Sequence, residues 1–264
     1  MEKASLLSLS KRVRLRILEM ALQSSEGHVP SSFSIVEILI SIWSYCNHFD
    51  DASNLTRVVL SKGHATYAWY ALLRELGLFS PQDFDSVGKV GSKFYGHLPF
   101  IPGDPRFSFG SGSLGHGLPF AIGLALGDTL KDDQRPTFVI VGDGEANEGT
   151  FWESLLLLSK FRESTGLNLK LLIDSNESSE RAIPIRSKLL KLGSAFDLNF
   201  CEVDGHDPAI LFSTLIDSGN ESSVIICSTK KGFPLPELSH PKWHHSAINR
   251  ITFDRLALEL YAAN

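Results

Sequence analysis

The sequence predicts an α/β fold, a three-layer α/β/α sandwich around a mostly parallel sheet, as a single domain over residues 1–264. Continuous apolar segments of strand length alternate with segments of helical character, a pattern typical of parallel sheets that are covered on both faces. The composition, 43% hydrophobic and 21% charged, is ordinary for a globular protein and sufficient for a large core. Neither internal repeats nor low-complexity linkers divide the chain.

The elements of the first half follow in order. They are a helix over residues 4–24, a buried helix over 34–46, a strand over 57–61 and a helix over 65–77. In the first helix, Leu9, Val13 and Ile17 recur at helical spacing, and the last helix ends at Gly77, a typical stop residue. Residues 81–115 are rich in proline and irregular. A loop of this length in a compact domain is more often functional than idle.

In the second half, helical and apolar segments again alternate. They predict a helix over residues 117–130, a strand over 137–141, a helix over 150–161 and strands over 169–174 and 222–229. We interpret the leucine run 155–158 as part of a buried helix. In such sheets ligands bind at the carboxyl ends of the strands, and most candidate site residues follow strands.

Charge, cysteine content and hydropathy exclude several classes of protein. The net charge of −5 argues against a nucleic-acid-binding surface, which needs a basic excess. Three scattered cysteines predict a reducing compartment without a thiolate metal site. We find neither a signal peptide nor a segment of membrane-spanning length and hydropathy. We therefore expect a soluble cytoplasmic protein that interacts with neither membranes nor nucleic acids.

The segment "VIVGDGEANEG" runs from an apolar strand directly into a carboxylate between two glycines. Gly142 and Gly144 allow a tight turn and a close backbone approach to a ligand at Asp143. A helix predicted to begin near Asn147 offers free N–H groups to an anion such as phosphate. An acid next to a phosphate site makes sense if a divalent cation lies between them, as Mg²⁺ commonly does. Asn176, after the next strand, is the second expected oxygen donor.

These residues and several further segments resemble the transketolase family of thiamine-diphosphate-dependent enzymes. The similar segments run in order from about residue 10 to 245 and are "SSEGHVPSSFSIVEIL", "RVVLSKGHATYAWYALL", "YGHLP", "GSGSLGHGLPFAIGLAL", "GDGEANEG", "IDSN", "VDGHD" and "STKKGFP…WHH". Members of the family have a diphosphate-binding domain, a pyrimidine-binding domain and a C-terminal domain, and this chain covers only the first. It thus resembles the N-terminal subunit of a split, two-gene transketolase.

The resemblance implies a thiamine-diphosphate-binding fold and transfer of a two-carbon ketol unit from a ketose to an aldose. The cofactors would be thiamine diphosphate and Mg²⁺, with Ca²⁺ or Mn²⁺ as substitutes for the magnesium. The partner would be a C-terminal subunit carrying the pyrimidine domain, most simply in an α₂β₂ heterotetramer, and the substrates would be sugars or sugar phosphates. Since the glutamate that activates the cofactor sits on the pyrimidine domain, we expect this chain to be inactive alone.

The resemblance also implies roles for individual residues. The metal ligands would be Asp143, Asn176 and the backbone carbonyl of Ser178. Cofactor contacts are implied for His64, Ser113, Leu114, Gly142, Gly144, Glu145 and Asn176. The catalytic group would comprise the substrate-channel histidines His28, His97 and His244, together with Glu148, which would reach the partner's catalytic glutamate. Several imidazoles suit ketose hydroxyls, which need donors, acceptors and proton transfer near neutral pH.

Some assignments stay open in the sequence. His240 or His245 could take the place of His244, and His116 could lie near the cofactor rings. The segment "ESSERAIPIRSK" after Asn176 replaces the family's usual Asp-Gly turn. One alternative function is another thiamine enzyme, either a 2-oxo acid dehydrogenase α-subunit or an enzyme acting on unusual sugars. The other is a non-catalytic binding module that retains only the fold.

Overall fold

Parallel strands form the central sheet of the chain, of which a computed structural model describes residues 3–49, 57–176 and 186–263, with residues 192–194 described by their backbone alone. The strands in this part of the chain are β1 (Val58–Leu60), β2 (Thr137–Gly142), β3 (Leu169–Ser175), β4 (Asn199–Asp204) and β5 (Ser223–Ser228). Their spatial order is β1-β2-β3-β5-β4, and every pairing is parallel. The predicted parallel sheet is confirmed.

The helices of the described residues lie before, between and after these strands. They are α1 (Lys3–Ser24), α2 (Val29–Phe33), α3 (Val36–His48), α4 (Thr66–Glu75), α5 (Pro81–Ser86), α6 (Gly117–Thr129), α7 (Gly149–Thr165), α8 (Arg186–Leu192), α9 (Pro208–Asp217) and α10 (Arg250–Ala262). Short 3₁₀ turns connect several of them. One such turn, Asp143–Asn147, lies between β2 and α7, so α7 begins at Gly149 and not near Asn147.

The two faces of the sheet carry separate hydrophobic cores, because successive strand residues point to opposite sides. Ile140 and Leu172 pack into the core that contains α1, α3 and α4. Their neighbours Val139 and Leu171 pack into the core that contains α6 and α7. This alternation of uninterrupted apolar residues confirms the predicted three-layer sandwich.

Several elements escape the hydrophobic pattern of the sequence. Strand β4 lies at the edge of the sheet, and its residues are exposed or half-buried, so its sequence "NFCEVD" has no continuous apolar run. Helix α5 interrupts the expected irregular region, and α8, α9 and α10 were not predicted. In the leucine run, Leu155 and Leu158 are buried, but Leu156 is 61% and Leu157 is 42% exposed. The interpretation of the whole run as buried is wrong, because only residues three or four apart share a helix face.

The register of the sheet determines where the functional residues lie. Gly142 of β2 is level with Asp174 of β3, so both strands end at the same edge. One helical stretch among the described residues, Val29–His48, is long and apolar enough to cross a membrane, but 94% of it is buried inside the protein. Packing against the sheet accounts for its apolar composition.

Candidate active site

A cavity of about 360 Å³ lies at the carboxyl edge of the sheet. It brings together ten of the residues predicted from the sequence, namely His28, His64, His97, Leu114, Gly142, Asp143, Gly144, Glu145, Asn176 and His244. Three further lining residues were not predicted, namely Ser31, Lys62 and Lys231. Residues far apart in the chain therefore converge on one site.

The strand-tip wall of the cavity consists of Asp143, Gly144 and Asn176, which follow the neighbouring strands β2 and β3. The Asp143 residue is 9% exposed. A Cβ placed on Gly144 would meet no heavy atom within 4 Å, so a ligand can approach this backbone closely. A carboxylate and an amide oxygen on adjacent strand tips are suitable donors for Mg²⁺. The donor set therefore fits the cation and diphosphate that the sequence implies.

Glu145 braces the turn after β2. Its side chain is buried, and Oε2 accepts a hydrogen bond from the Gly142 N–H at 2.8 Å. Oε1 accepts from the Gly115 N–H at 3.0 Å and from the Ser61 hydroxyl. Burial raises the pKa of Glu145, although these three donors act in the opposite direction. Both carboxylate oxygens thus tie the strand tip to the loop that carries Leu114.

A buried ion pair between Lys62 and Asp174 lies beneath the strand-tip wall, with side chains 2% and 0% exposed. Asp174 also accepts hydrogen bonds from Ser34 at 2.8 Å, from the Asn176 amide at 3.0 Å and from Thr229. Burial alone would raise the pKa of Asp174, but Lys62 and the hydroxyl donors lower it. The carboxylate is therefore ionised and holds four chain segments together.

Four predicted histidines form the histidine wall of the cavity: His28, His64, His97 and His244. The ring centroid of His28 lies 5.2 Å from that of His64, 5.8 Å from that of His97 and 5.3 Å from that of His244. Burial lowers the pKa of His28 to about 3 and that of His64 to about 2, with positive neighbours adding to each shift. Both rings are neutral at physiological pH and can donate and accept hydrogen bonds.

The open histidine assignments receive different answers. His244 lines the cavity, and its Nδ1 accepts from the Lys231 ammonium at 3.0 Å. His245 stacks obliquely on His28, with centroids 4.6 Å apart. The Nδ1 of His240 instead accepts from the Lys242 N–H at the start of a 3₁₀ turn. His116 is exposed and precedes α6.

Three predicted site residues are not among the lining residues. Ser113 is exposed next to Leu114, which itself is 44% exposed. Glu148 is exposed at the start of α7, and an exposed position leaves it accessible to a partner chain. Ser178, the expected carbonyl ligand, lies outside the described residues.

Sequence reasoning missed Lys62 and Lys231, both of which line the cavity. Each belongs to a motif that the sequence had singled out, "SKGHA" and "STKKGFP". These motifs contained the signal, but their histidine and glycine residues were the ones expected to act. Two lysines give the cavity positive charge that is suited to an anionic ligand.

Comparison with known proteins agrees with this geometry. Residues 8–250 match the family described as "Transketolase, thiamine diphosphate binding domain". The chain belongs to the transketolase family. Because the match covers most of the chain, this transketolase domain is the one that binds thiamine diphosphate.

Two similar proteins of comparable length are named as one of the subunits of an apulose-4-phosphate transketolase. The chain is 31% identical over 249 residues to the one from Actinobacillus succinogenes, covering 89% of this chain and 88% of that protein. The one from Phocaeicola vulgatus is 28% identical, with 89% and 86% covered. Human transketolase is 26% identical over 96% of this chain but only 41% of its own length.

Solved transketolase structures share the fold. The enzyme from Leishmania mexicana superposes with a TM-score of 0.81 at 19% identity, covering 97% of this chain and 41% of that chain. The Pichia stipitis enzyme in complex with sedoheptulose 7-phosphate gives a TM-score of 0.82 at 20% identity, with 97% and 40% covered. This transketolase chain therefore spans about two fifths of those solved transketolases.

Proposed function

We propose that this chain is the diphosphate- and Mg²⁺-binding subunit of a two-subunit transketolase that transfers a ketol unit between sugar phosphates. The observation that carries the proposal is the cavity in which the strand-tip wall, the histidine wall and two lysines meet. Family membership supplies the cofactor class. When bound, thiamine diphosphate supplies the electron sink for cleavage of the ketose carbon–carbon bond.

The residues of the strand-tip wall would bind and orient the cofactor. Asp143 and the Asn176 amide oxygen would hold Mg²⁺ against the diphosphate, and the Gly144 backbone leaves room for that group. Lys231, whose pKa burial lowers, is a cation close enough to balance negative charge there. The brace at Glu145 keeps this turn in place.

The residues of the histidine wall would contact the sugar. Neutral imidazoles at His28 and His64 can accept a proton from one hydroxyl or donate to another without a change in net charge. A wall of neutral donors and acceptors suits the hydroxyl-bearing part of the substrate. We therefore assign substrate orientation and proton transfer to this wall.

A partner chain would complete the enzyme. The two relatives of comparable length are each named as one subunit of their enzyme and match this chain over most of their length, whereas human transketolase extends well beyond the matched part. Leu156, Leu157 and Leu114 are exposed apolar side chains near the site or on α7, which is the kind of surface that another chain covers. Two copies of each chain, α₂β₂, is the simplest assembly.

Co-purification with the partner tests the proposal. Ketol transfer should require both chains, thiamine diphosphate and Mg²⁺, and size-exclusion chromatography with light scattering should give the mass of a heterotetramer. Transfer by this chain alone would contradict the requirement for a partner. A complex that binds the cofactor but transfers nothing between a broad set of sugars would favour the non-catalytic alternative.

The substrate can be tested against the names of the similar proteins. Both relatives of comparable length are named for apulose 4-phosphate, which favours a branched ketose phosphate as donor. Comparing kcat/KM for apulose 4-phosphate and fructose 6-phosphate would decide between a specialised and a general transketolase. A ratio near one would remove the specialised assignment.

A further inference from the structure

The strap, defined as residues 229–246, carries Lys231 and His244 over the cavity. Its beginning is bonded through Thr229 to Asp174, and its end through the Ser246 N–H to the Gly27 carbonyl at 3.3 Å. Between these points it contains only short 3₁₀ turns, Pro236–Ser239 and Pro241–Trp243. The places of Lys231 and His244 therefore depend on contacts that the strap makes with the rest of the domain.

A buried charge cluster lies beside the strap. Arg14 of α1 and Glu37 of α3 form a two-pronged ion pair at 2.6 and 2.7 Å, with side chains 3% and 1% exposed. Burial alone would raise the pKa of Glu37, but Arg14 and His206 lower it to about 2. An ionised carboxylate only accepts hydrogen bonds, so every group facing Glu37 must donate to it.

His206 connects this cluster to the strap backbone. Its Nε2 accepts a hydrogen bond from the Lys230 N–H at 2.8 Å, so Nε2 carries no proton. The proton is therefore on Nδ1, which lies 3.3 Å from the Glu37 carboxylate and donates to it. The carboxylate thus selects the tautomer of His206 whose other nitrogen can hold the strap.

Phe233 provides a second connection between the cluster and the strap. The His206 ring stacks on the Phe233 ring with centroids 3.9 Å apart and planes at 21°. The Arg14 guanidinium lies 5.5 Å from the same ring centroid, and its Nε donates to the Phe233 carbonyl at 2.9 Å. The cluster therefore holds strap residues 230 and 233, on either side of Lys231.

We infer that His206 is a positioning residue that holds the strap over the cavity and so sets the places of Lys231 and His244 for substrate binding. Its own side chain is absent from the cavity lining, so it acts through the Lys230 backbone and the Phe233 ring. The inference rests on the proposed function for what the strap binds, but the clamp itself is a property of this chain.

Two substitutions separate the two nitrogens of His206. In His206→Gln the longer side chain can place an amide oxygen where Nε2 accepts from Lys230. In His206→Asn the shorter amide can still donate to Glu37 but does not reach the strap. His48→Asn, at an exposed histidine of α3, is the matched control. The Gln variant is expected to keep the strap in place, and the Asn variant is not.

Amide hydrogen exchange followed by mass spectrometry tests the clamp on this chain alone. His206→Asn should speed exchange in peptides that cover residues 229–246, while His206→Gln and His48→Asn should leave it unchanged. Unchanged exchange in His206→Asn would overturn the inference. A general rise over the whole chain would also overturn it, because that result indicates lost stability and not a released strap.

Kinetics of the assembled enzyme, with fructose 6-phosphate as the probe donor, test the consequence. His206→Asn should raise KM about fivefold, the effect of one lost hydrogen bond, with kcat within about twofold of the unsubstituted enzyme. A lower kcat at unchanged KM would overturn the assignment to substrate binding. If the unsubstituted complex shows no transfer, the proposed function fails, whereas the exchange experiment still decides the clamp.

Discussion

The strand-tip wall is carried by two adjacent strands, whereas the histidine wall is assembled from four separate segments of the chain. Asp143 and Asn176 are placed by parallel register, which leaves little freedom. The histidines follow helix ends and 3₁₀ turns, and their places depend on distant hydrogen bonds and packing. The wall that would bind the charged end of the cofactor is therefore the rigid one, and the wall that would meet the variable sugar is adjustable.

Substitution of Lys62 should produce the largest change in stability, because it strikes the buried support of the strand-tip wall. Lys62→Met leaves the Asp174 carboxylate buried without its cation and should reduce the free energy of unfolding by about 3–5 kcal/mol. Urea unfolding measures the change. Arg250→Met, at an exposed pair with side chains 74% and 52% exposed, is the control and should cost less than about 1 kcal/mol. Equal losses would show that the buried pair is not special.

Substitution of Asp143 should abolish cofactor-dependent stabilisation. At a cofactor concentration of about 100 Kd, thiamine diphosphate with Mg²⁺ should stabilise the chain by about 2.7 kcal/mol, measurable as a thermal shift. In Asp143→Asn this shift should disappear, while Asp85→Asn, at an exposed aspartate of α5, should keep it. His97→Asn should also keep it, since we assign the histidine wall to the sugar. A shift lost equally in His97→Asn would contradict that division.

The histidine wall should make folding sensitive to acid. Burial lowers the pKa of His28 to about 3, so between about pH 3 and 6.5 the unfolded state binds more protons and stability falls with pH. His28→Gln should reduce the loss of stability between pH 7 and pH 5 by about 1 kcal/mol, allowing for solvent screening of a half-buried ring. Chemical unfolding at both pH values provides the measurement, with His48→Gln as the matched control. An identical loss in the His28 variant would contradict a neutral, buried ring.

His244 should contribute least to stability. Its residue is exposed, and it belongs to the strap. His244→Asn should change the free energy of unfolding by no more than about 0.5 kcal/mol, in contrast to Lys62→Met. A larger loss by thermal or urea unfolding would mean that the histidine wall supports the fold as strongly as the strand-tip wall.

Local pattern was sufficient for much of the sandwich and for the strand-tip wall. Continuous apolar strands predicted a parallel sheet, and the positions of Asp143 and Asn176 directly after two strands placed them at one edge. The edge strand β4 was missed because its residues alternate between polar and apolar at a half-exposed edge. The run 155–158 was misjudged because composition does not reveal which helix face is covered.

What the sequence by itself determined about this protein is the family, the alternation of strands and helices, and which residue types meet at the strand ends. Those features depend on short-range spacing, which is written in consecutive residues. Only the tertiary structure decided that Glu145 braces Gly115, that Lys62 pairs with Asp174, and that His206 holds Lys230. These partners lie between 24 and 112 residues apart in the chain, and pairing over such separations follows from how the layers pack.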